Sequence, residues 1–276
     1  MLITSRNNPA VKQIRSLRQR KEREASGQFF IEGIRLVAEA LQLGAAVESL
    51  VVAPELLTSA FARELVDGER GRGRPVVEVS GEVFASLSAK DGPQGLGAVV
   101  RQHWSALDEI DPAAGLCWVA LDAVQDPGNL GTILRSGDAV GCAGVILLGA
   151  CTDPFDPATA RASMGALFAQ RLVAASWDEF AAWKRRRGVT VAGLAGAAAA
   201  DYQSARYPAP LCLLMGSERE GLSPEHQALC DLLVSIPMVG RSDSLNLAAA
   251  TSVALYEVFN QRRGGGLKPS PASLPE

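Results

Sequence analysis

Patterns that bind metal ions or form disulfides are absent from this 276-residue sequence. Its five cysteines are odd in number, no two of them form a Cys-x-x-Cys pair, and only His103 and His226 accompany them. We therefore expect no metal site, because zinc sites draw on closely spaced cysteine and histidine ligands. Most of the cysteines stand in apolar runs such as GLCWVAL and LCLLM, which favours buried thiols in a reducing compartment.

Long apolar runs are also lacking. The longest candidate, residues 189–200, is Gly- and Ala-rich and falls short of the roughly 20 apolar residues that a membrane helix requires. The first residues, MLITSRNNPAVKQ, contain no apolar segment that would serve as a secretory signal. We therefore expect a cytoplasmic protein that does not cross a membrane.

Positive charge is concentrated at the N-terminus. The whole chain carries a formal net charge of −3, whereas residues 1–24 hold seven basic and two acidic side chains, a net of +5. The remaining residues together therefore carry −8. A basic segment on an acidic body indicates a local surface for an anionic partner.

A helix is predicted to begin at Asn8 and Pro9, which suit the N-cap and the first helical position. Val11, Ile14 and Leu17 then form an apolar stripe at helical spacing. The side chains that point away from this stripe are Lys12, Arg15, Arg18 and Lys21. This cationic face is either a solvated surface or a binding face for nucleic-acid phosphates.

Hydrophobic periodicity predicts a small α/β domain over residues 1–101. Helical patterns cover residues 31–43, 55–66 and 82–87, with Gly44 ending the first of them. Strand-like runs occupy residues 49–53, 76–79 and 96–100. Residues 102–114, which include Asp111-Pro112, are predicted to be a linker.

A second α/β domain is predicted over residues 115–263. Its strand-like runs are residues 117–121, 145–148, 171–174, 189–194, 211–215 and 232–236, and a long helix covers 245–261. These runs are almost continuously apolar, which is typical of a parallel sheet covered on both faces. Residues 264–276 have the Gly, Pro and Ser composition of a disordered tail.

Three strand ends of the second domain carry polar loops, within residues 121–141, 213–225 and 235–257. Singly, their residues have structural explanations: Asn129 and Ser244 as helix caps, Asp122 and Arg135 as an ion pair. Ligands of open α/β sheets, however, bind beyond the carboxyl ends of the strands. Together the loops place asparagine, arginine, glutamate and serine side chains at one such edge, which indicates a functional site.

These three loops resemble the three motifs of the SpoU-type RNA ribose 2′-O-methyltransferases, in the SPOUT superfamily. The matching strings are DAVQDPGNLGTILRSGDAVG, MGSEREGLS and IPMVGRSDSLNLAAATSVALYE. The likeness extends to DPFDPATARASMGALF, to GPQGLGAVV and to residues 5–41, which are similar to the family's N-terminal substrate-binding domain. It covers nearly the whole chain except the tail.

The resemblance changes the expected fold. Strand patterning alone predicts a doubly wound sheet, whereas the family has a C-terminal trefoil knot that binds the methyl donor. Knots are so rare that periodicity never proposes one. The resemblance also implies a homodimer whose active sites lie at the subunit interface, S-adenosylmethionine as cofactor, and RNA as substrate. The N-terminal domain favours ribosomal over transfer RNA.

The resemblance assigns roles to residues of the loops. The implied catalytic cluster is Asn129, Arg135, Glu218, Ser244 and Asn246. The residues implied to bind the donor, largely through backbone groups, are Leu214, Met215, Gly216, Ile236, Met238, Ser244 and Leu245. Arg161, in ARASMG, is expected to contact RNA from the partner subunit, in addition to the basic N-terminal residues. Because a guanidinium seldom gives up its proton, we expect Arg135 to hold the phosphate next to the target ribose, and Glu218 to hold Asn129 and Arg135 in place.

Two other functions are weighed against this one. An RNA-binding factor that keeps the fold without catalysis would be expected to lack part of the catalytic cluster, which is complete here. A nicotinamide-dependent oxidoreductase would need a Gly-x-Gly-x-x-Gly fingerprint after a strand, and QDPGNLG has the wrong spacing.

Overall fold

The computed structural model describes residues 1–89 and 92–263. The chain forms two α/β units, a four-stranded sheet within residues 28–101 and a seven-stranded sheet within residues 118–235. This confirms the predicted fold class of a smaller N-terminal and a larger C-terminal α/β unit. The predicted tail, 264–276, lies outside the described residues. Within the described part, no helix combines the length and apolar character that crossing a bilayer would require.

The N-terminal sheet has the strand order β1-β4-β2-β3. Its strands are β1 (Gln28–Glu32), β2 (Val47–Val52), β3 (Val76–Glu78) and β4 (Leu96–Arg101). Strand β4 pairs antiparallel with β1 and β2, and β2 pairs parallel with β3. The helices of this unit are α1 (Pro9–Ser16), α2 (Arg20–Ser26), α3 (Ile34–Gln42), α4 (Ala60–Gly71) and α5 (Gly81–Leu87).

Two predictions for this unit were wrong in detail. Ile31 belongs to β1, a strand that was not predicted, and the helix after it begins at Ile34. Four of the five residues of β1 are buried, so no alternation of polar and apolar residues marks it as a strand. Helix α4 begins later than predicted because Ser59 caps it, accepting a hydrogen bond from the Ala62 N–H at 3.3 Å.

The basic N-terminal segment forms two short helices instead of the single predicted one. Asn8 caps α1 as expected, and its side chain accepts a hydrogen bond from the backbone two residues later. The helix ends before Leu17, and extended backbone at Gln19 separates it from α2. Lys12 and Lys21 therefore lie on different helices, so one continuous cationic helix face does not form.

The C-terminal sheet is parallel throughout, with the strand order β7-β6-β5-β10-β8-β11-β9. Its strands are β5 (Trp118–Asp122), β6 (Gly144–Leu148), β7 (Arg171–Ala175), β8 (Thr190–Leu194), β9 (Ala200–Asp201), β10 (Leu211–Met215) and β11 (Leu232–Ser235). Its helices are α6 (Pro127–Val140), α7 (Pro157–Ser163), α8 (Ala166–Ala169), α9 (Trp177–Arg187), α10 (Pro224–Gln227) and α11 (Leu247–Arg263). The predicted parallel sheet is confirmed.

A buried ion pair joins the two units. Arg23 has a side chain only 2% exposed, and it donates to Asp153 at 2.7 Å and to Asp156 at 3.3 Å. It also donates to the carbonyl oxygens of Leu17 and Arg18, both at 2.9 Å. These carbonyls lie at the end of α1, so the guanidinium supplies partners that a helix C-terminus lacks. Arg23, one of the seven basic residues within 1–24, is therefore buried and does not contribute to the basic surface.

Aromatic rings extend this contact between the units. Phe29 of β1 lies 4.9 Å from Phe155 and 6.2 Å from Phe168, measured between ring centroids. Trp104, within the predicted linker, lies 5.3 Å from Phe155. Ile110, also in the predicted linker, is 1% exposed. The linker therefore packs against the C-terminal unit.

Helices α6 and α7 approach each other most closely at Gly131. A Cβ atom at this position would lie 2.5 Å from the Cβ of Ala162 and 2.6 Å from the carbonyl oxygen of Thr159. Real side chains do not fit at such distances, so only glycine lets the two helix backbones come this near. The first site loop is thereby held rigidly against α7.

The five cysteines are free, with Cys117 and Cys212 buried and the others half-buried. Burial raises the pKa of the Cys151 and Cys212 thiols, and raises that of Cys230 to about 11. These thiols are therefore protonated near neutral pH and act as small apolar side chains.

Candidate active site

The first site loop follows β5 and leads into α6. Asp126 caps this helix, because its carboxylate accepts a hydrogen bond from the Asn129 N–H at 2.7 Å. The prediction of Asn129 as the N-cap was therefore wrong. With Pro127 at the first helical position, Asn129 lies in the first turn, and its side chain is available for other contacts.

Side chains from all three loops meet at the start of α6. Asn129 donates from Nδ2 to Glu218 Oε1 at 3.3 Å, and its Oδ1 accepts from Asn246 Nδ2 at 2.9 Å. Glu218 also accepts hydrogen bonds of 3.2 Å from the N–H groups of Gln125 and Asp126. The carboxylate thus satisfies backbone donors at the positive end of the helix. We call Asn129, Glu218 and Asn246 the loop triad.

Asn246 also caps the last helix, a role that the sequence had offered to Ser244. Its Oδ1 accepts hydrogen bonds from the N–H groups of Ala248 at 2.9 Å and Ala249 at 3.3 Å. Ser244 is exposed, and its hydroxyl donates to Asp243 at 3.4 Å. The structure therefore brings Asn246 into the triad and leaves Ser244 outside it.

Arg135 also lies outside the triad. Six residues after Asn129, it is displaced by about 9 Å along α6 and points from a different face of the helix. It is exposed, and within the described residues no hydrogen bond or ion pair engages its guanidinium. The expected contact between Glu218 and Arg135 is not formed. A solvent-facing guanidinium without a counter-charge is suited to bidentate binding of a phosphate.

A histidine considered from the sequence only as a possible metal ligand connects the second loop to β5. His226 Nδ1 lies 2.8 Å from Asp122 Oδ2, and its ring stacks on Trp177 with centroids 3.5 Å apart. Asp122 therefore pairs with His226, and the ion pair with Arg135 that the sequence had allowed is not formed. These two residues are 104 positions apart, so no spacing along the chain indicated the contact.

The residues expected to bind the donor divide into two groups. Leu214, Met215 and Gly216 are buried at the end of β10, where a Cβ on Gly216 would lie 2.1 Å from the backbone of Gly221. The members on the third loop, which are half-buried or exposed, are Ile236, Met238, Ser244 and Leu245. In the described part of the chain, no backbone N–H or carbonyl group of residues 236–245 forms a hydrogen bond with another backbone group.

The apolar side chains of Met238 and Leu245 are each 39% exposed, and they lie beside these free backbone groups. This combination suits a nucleoside that is recognised through the backbone. The third loop thus fits the group that the resemblance implies.

The residues expected to bind RNA include exposed lysines and arginines that are engaged in other contacts. Lys12 and Lys21 are exposed, and within the described residues neither ammonium group has a hydrogen bond or ion pair. Arg15 donates to the Ser86 hydroxyl at 2.8 Å, and Arg18 donates to the Ser88 carbonyl at 2.6 Å. Arg161 lies on α7, on the side that faces the N-terminal unit, so it is not next to the loop triad.

Two family models match the chain. Residues 117–256 match the model of the SpoU rRNA Methylase family, and residues 8–98 match the MRM3-like substrate binding domain. The first covers the three site loops, and the second covers most of the basic N-terminal segment and of the four-stranded sheet.

Relatives and solved structures agree with these matches. The chain is 34% identical to the 23S rRNA (uridine(2479)-2′-O)-methyltransferase of Streptomyces viridochromogenes, over 98% of this chain and 95% of that protein. It is 30% identical to the 23S rRNA (guanosine(2553)-2′-O)-methyltransferase RlmP of Bacillus subtilis, over 93% and 98%. An AdoMet-bound rRNA methyltransferase from Sinorhizobium meliloti superposes with a TM-score of 0.86 at 41% identity, covering 96% of this chain and 98% of that one. The resemblance of the three loops is confirmed, and the chain belongs to the SpoU rRNA methylase family.

Proposed function

We propose that this protein transfers the methyl group of S-adenosylmethionine to a ribose 2′-hydroxyl of ribosomal RNA. The observation that carries the proposal is the loop triad, which unites the three family loops at the carboxyl edge of the parallel sheet. The names of the Streptomyces and Bacillus relatives favour ribosomal over transfer RNA. We also propose that the protein acts in the cytoplasm, as expected for an enzyme that modifies bacterial ribosomal RNA.

Asn129 is suited to orient the ribose hydroxyl. A hydroxyl is a weak nucleophile at neutral pH, so it has to be held in line with the methyl group and relieved of its proton. The Asn129 carboxamide spends one N–H on Glu218 and one lone pair on Asn246. One N–H and one lone pair are left for the substrate, and the two neighbours fix the direction in which they point.

Glu218 and Arg135 have separate tasks in this proposal. Glu218 accepts from two backbone N–H groups and from Asn129, so its oxygens are committed to holding the start of α6. It is a positioning residue. Arg135 carries a positive charge, and it holds a phosphate of the RNA next to the target ribose.

The third loop holds the donor between apolar side chains, with Met238 and Leu245 against the adenine and backbone groups on the polar edges. S-adenosylmethionine supplies an electrophilic methyl group when it is bound. Its product, S-adenosylhomocysteine, should stabilise the protein by about 2.7 kcal/mol at 100 times its Kd, because it binds only the folded state. A thermal melt with S-adenosylhomocysteine, and with NAD as control, measures this. Stabilisation by NAD alone would contradict the assignment.

Methyl transfer itself tests the proposal. Incubation with methyl-labelled S-adenosylmethionine and 23S ribosomal RNA from cells lacking the gene should label one nucleoside as its 2′-O-methyl derivative. Transfer RNA from the same cells serves as the competing substrate. Binding of ribosomal RNA without any labelled product would instead support the non-catalytic RNA-binding factor.

The exposed lysines of the N-terminal segment are proposed to bind RNA phosphates. Replacing Lys12 and Lys21 with glutamine should weaken RNA binding and flatten its log–log salt dependence by roughly 0.7 to 0.9 for each phosphate that is no longer bound. Titration at several salt concentrations measures both effects. The control is Arg171→Gln with Arg185→Gln, which removes the same charge from exposed residues of the C-terminal unit. An unchanged slope in the lysine variant would indicate a merely solvated surface.

We also propose that the C-terminal unit is knotted and that the protein is a homodimer. Large apolar side chains are exposed on the third loop and on α11, among them Val239 at 103% and Tyr256 at 52%. A partner subunit would cover them. A crystal structure tests both statements, through the path of residues 236–263 and through the symmetry of the chains.

A further inference from the structure

A cavity of about 310 Å³ lies between the N-terminal unit and α7. Its size is at the lower end of the range for small-ligand sites, which occur preferentially where domains meet. The residues that line it from the N-terminal unit include Arg18, Phe30, Glu32 and Ala89, together with apolar neighbours. Those from α7 are Pro157, Ala160 and Arg161. Its walls are therefore mainly apolar, with two arginines and one carboxylate among them.

Helix α7 places this cavity close to the reaction. Pro157, Ala160 and Arg161 are spaced three and four residues apart, so they share the face that lines the cavity. Thr159 and Ala162 belong to the opposite face, which touches α6 at Gly131. The cavity and the helix that carries Asn129 are thus separated by one helix, a thickness of about 10 Å.

Arg161 is in an unusual position for an arginine. Its Nη1 atom is buried, and among the described residues it has no hydrogen-bond partner. Nor does any described carboxylate form an ion pair with the Arg161 guanidinium. A buried donor without a partner costs about 1–3 kcal/mol, and more when the group is charged. The residue as a whole is half-buried and lines the cavity, so an anionic ligand there would supply the counter-charge that the guanidinium lacks.

The other polar groups of the cavity complement a nucleotide. Arg18 lines the cavity beside Arg161 and adds a second positive charge. Glu32 is 7% exposed, and its carboxylate accepts a hydrogen bond from the Ala89 N–H at 2.9 Å. A carboxylate has lone pairs for further donors, such as the N–H groups of a nucleobase.

We propose that this cavity binds one nucleotide of the substrate RNA, splayed out of the stack near the target ribose. The phosphate contacts Arg161 and Arg18, the base lies against Phe30 and its apolar neighbours, and Glu32 accepts from the base edge. Proteins that read RNA sequence bind unstacked bases of loops and bulges in this way. The inference rests on the proposed function, and it narrows the substrate to RNA that is not a continuous helix at the modified site.

Two variants, each with a matched control, test the proposal. Arg161→Gln removes the unpaired charge, and Arg185→Gln removes a charge from an exposed residue of α9. Ala89→Trp places a large side chain at an exposed position of the cavity wall, and Ala85→Trp places the same side chain at an exposed position of α5 that does not line it. Steady-state methylation of 23S ribosomal RNA gives KM and kcat for each variant.

We expect Arg161→Gln and Ala89→Trp each to raise the KM for RNA about tenfold, with kcat and donor affinity within twofold of the unchanged chain. Both controls should leave all three quantities unchanged. An unchanged KM in both cavity variants overturns the proposal, and so does a loss confined to donor affinity.

A binding measurement separates this inference from the proposed function. The full chain, saturated with S-adenosylhomocysteine so that the donor site is filled, is titrated with AMP, GMP, CMP, UMP and inorganic phosphate. Binding of at least one nucleotide, abolished in Arg161→Gln and Ala89→Trp but kept in both controls, supports the cavity site even if no methyl transfer is found. Binding of inorganic phosphate alone, or of no probe, overturns it even in an active enzyme.

Discussion

Replacing Asn129 with alanine should lower the kcat for RNA methylation by about 100- to 1000-fold, the reduction typical when one preorganised hydrogen-bonding group is removed from a site. The amide is held from both sides by Glu218 and Asn246, so its substrate-facing atoms need no reorganisation during the reaction. Steady-state methylation of 23S ribosomal RNA measures kcat. The affinity for S-adenosylmethionine should stay within about twofold, because the triad is distinct from the apolar donor residues.

Thr132→Ala is the control for this prediction. Thr132 is exposed on the same helix, one turn beyond Asn129, and makes no hydrogen bond with another described side chain. The variant should retain nearly full kcat. If Asn129→Ala keeps kcat within threefold of the unchanged chain, the triad does not orient the hydroxyl.

The second large effect concerns stability. Arg23→Met should lower the free energy of unfolding by about 3–5 kcal/mol, because it leaves Asp153 buried and without its positive partner. The Asp153 side chain is 9% exposed, so water cannot replace the missing guanidinium. The substitution also removes the N–H groups that donate hydrogen bonds to two carbonyl oxygens at the end of α1. Urea denaturation measures the change.

Arg20→Met provides the comparison three residues away. Arg20 pairs with Glu24 at 2.7 Å and donates to the Cys151 carbonyl oxygen at 3.1 Å, but both side chains of the ion pair are more than half exposed, at 57% and 60%. Such surface pairs contribute about 0–1 kcal/mol. Equal reductions of stability in the two variants would show that the Arg23 ion pair does not hold the units together.

The sequence was sufficient to predict the elements whose signals are local. Asn8 and Pro9 marked the start of α1, and the apolar runs marked the parallel strands, because capping and burial depend on neighbouring residues. Strand β1 was missed because it is buried on both faces and lies directly before a helix. The break between α1 and α2 was missed because it depends on a distant contact. Arg23, which is bound to the other unit, donates hydrogen bonds to the carbonyl oxygens at the end of α1.

The same difference between local signals and contacts distant in the sequence applies to the active site. The three loops were identified by their motifs, but the contacts among them join residues about 90 to 120 positions apart, which no spacing rule reaches. Asp126 was overlooked as the cap of α6 because the aspartate and the asparagine three residues later are both good caps. From the sequence, His226 was considered only as a possible metal ligand. Its pairing with Asp122 depends on the position of α10 relative to the sheet.

The strand order has a consequence for the synthesis of the chain. Strand β10 lies between β5 and β8, and the other neighbour of β8 is β11, which comes later still. Until residues 211–235 have left the ribosome, β8 has no strand to pair with and β5 keeps one unpaired edge. Unpaired edges of apolar strands invite association with other chains. Residues 211–235 must therefore emerge before this core can close, and until then the incomplete chain exposes apolar strand edges.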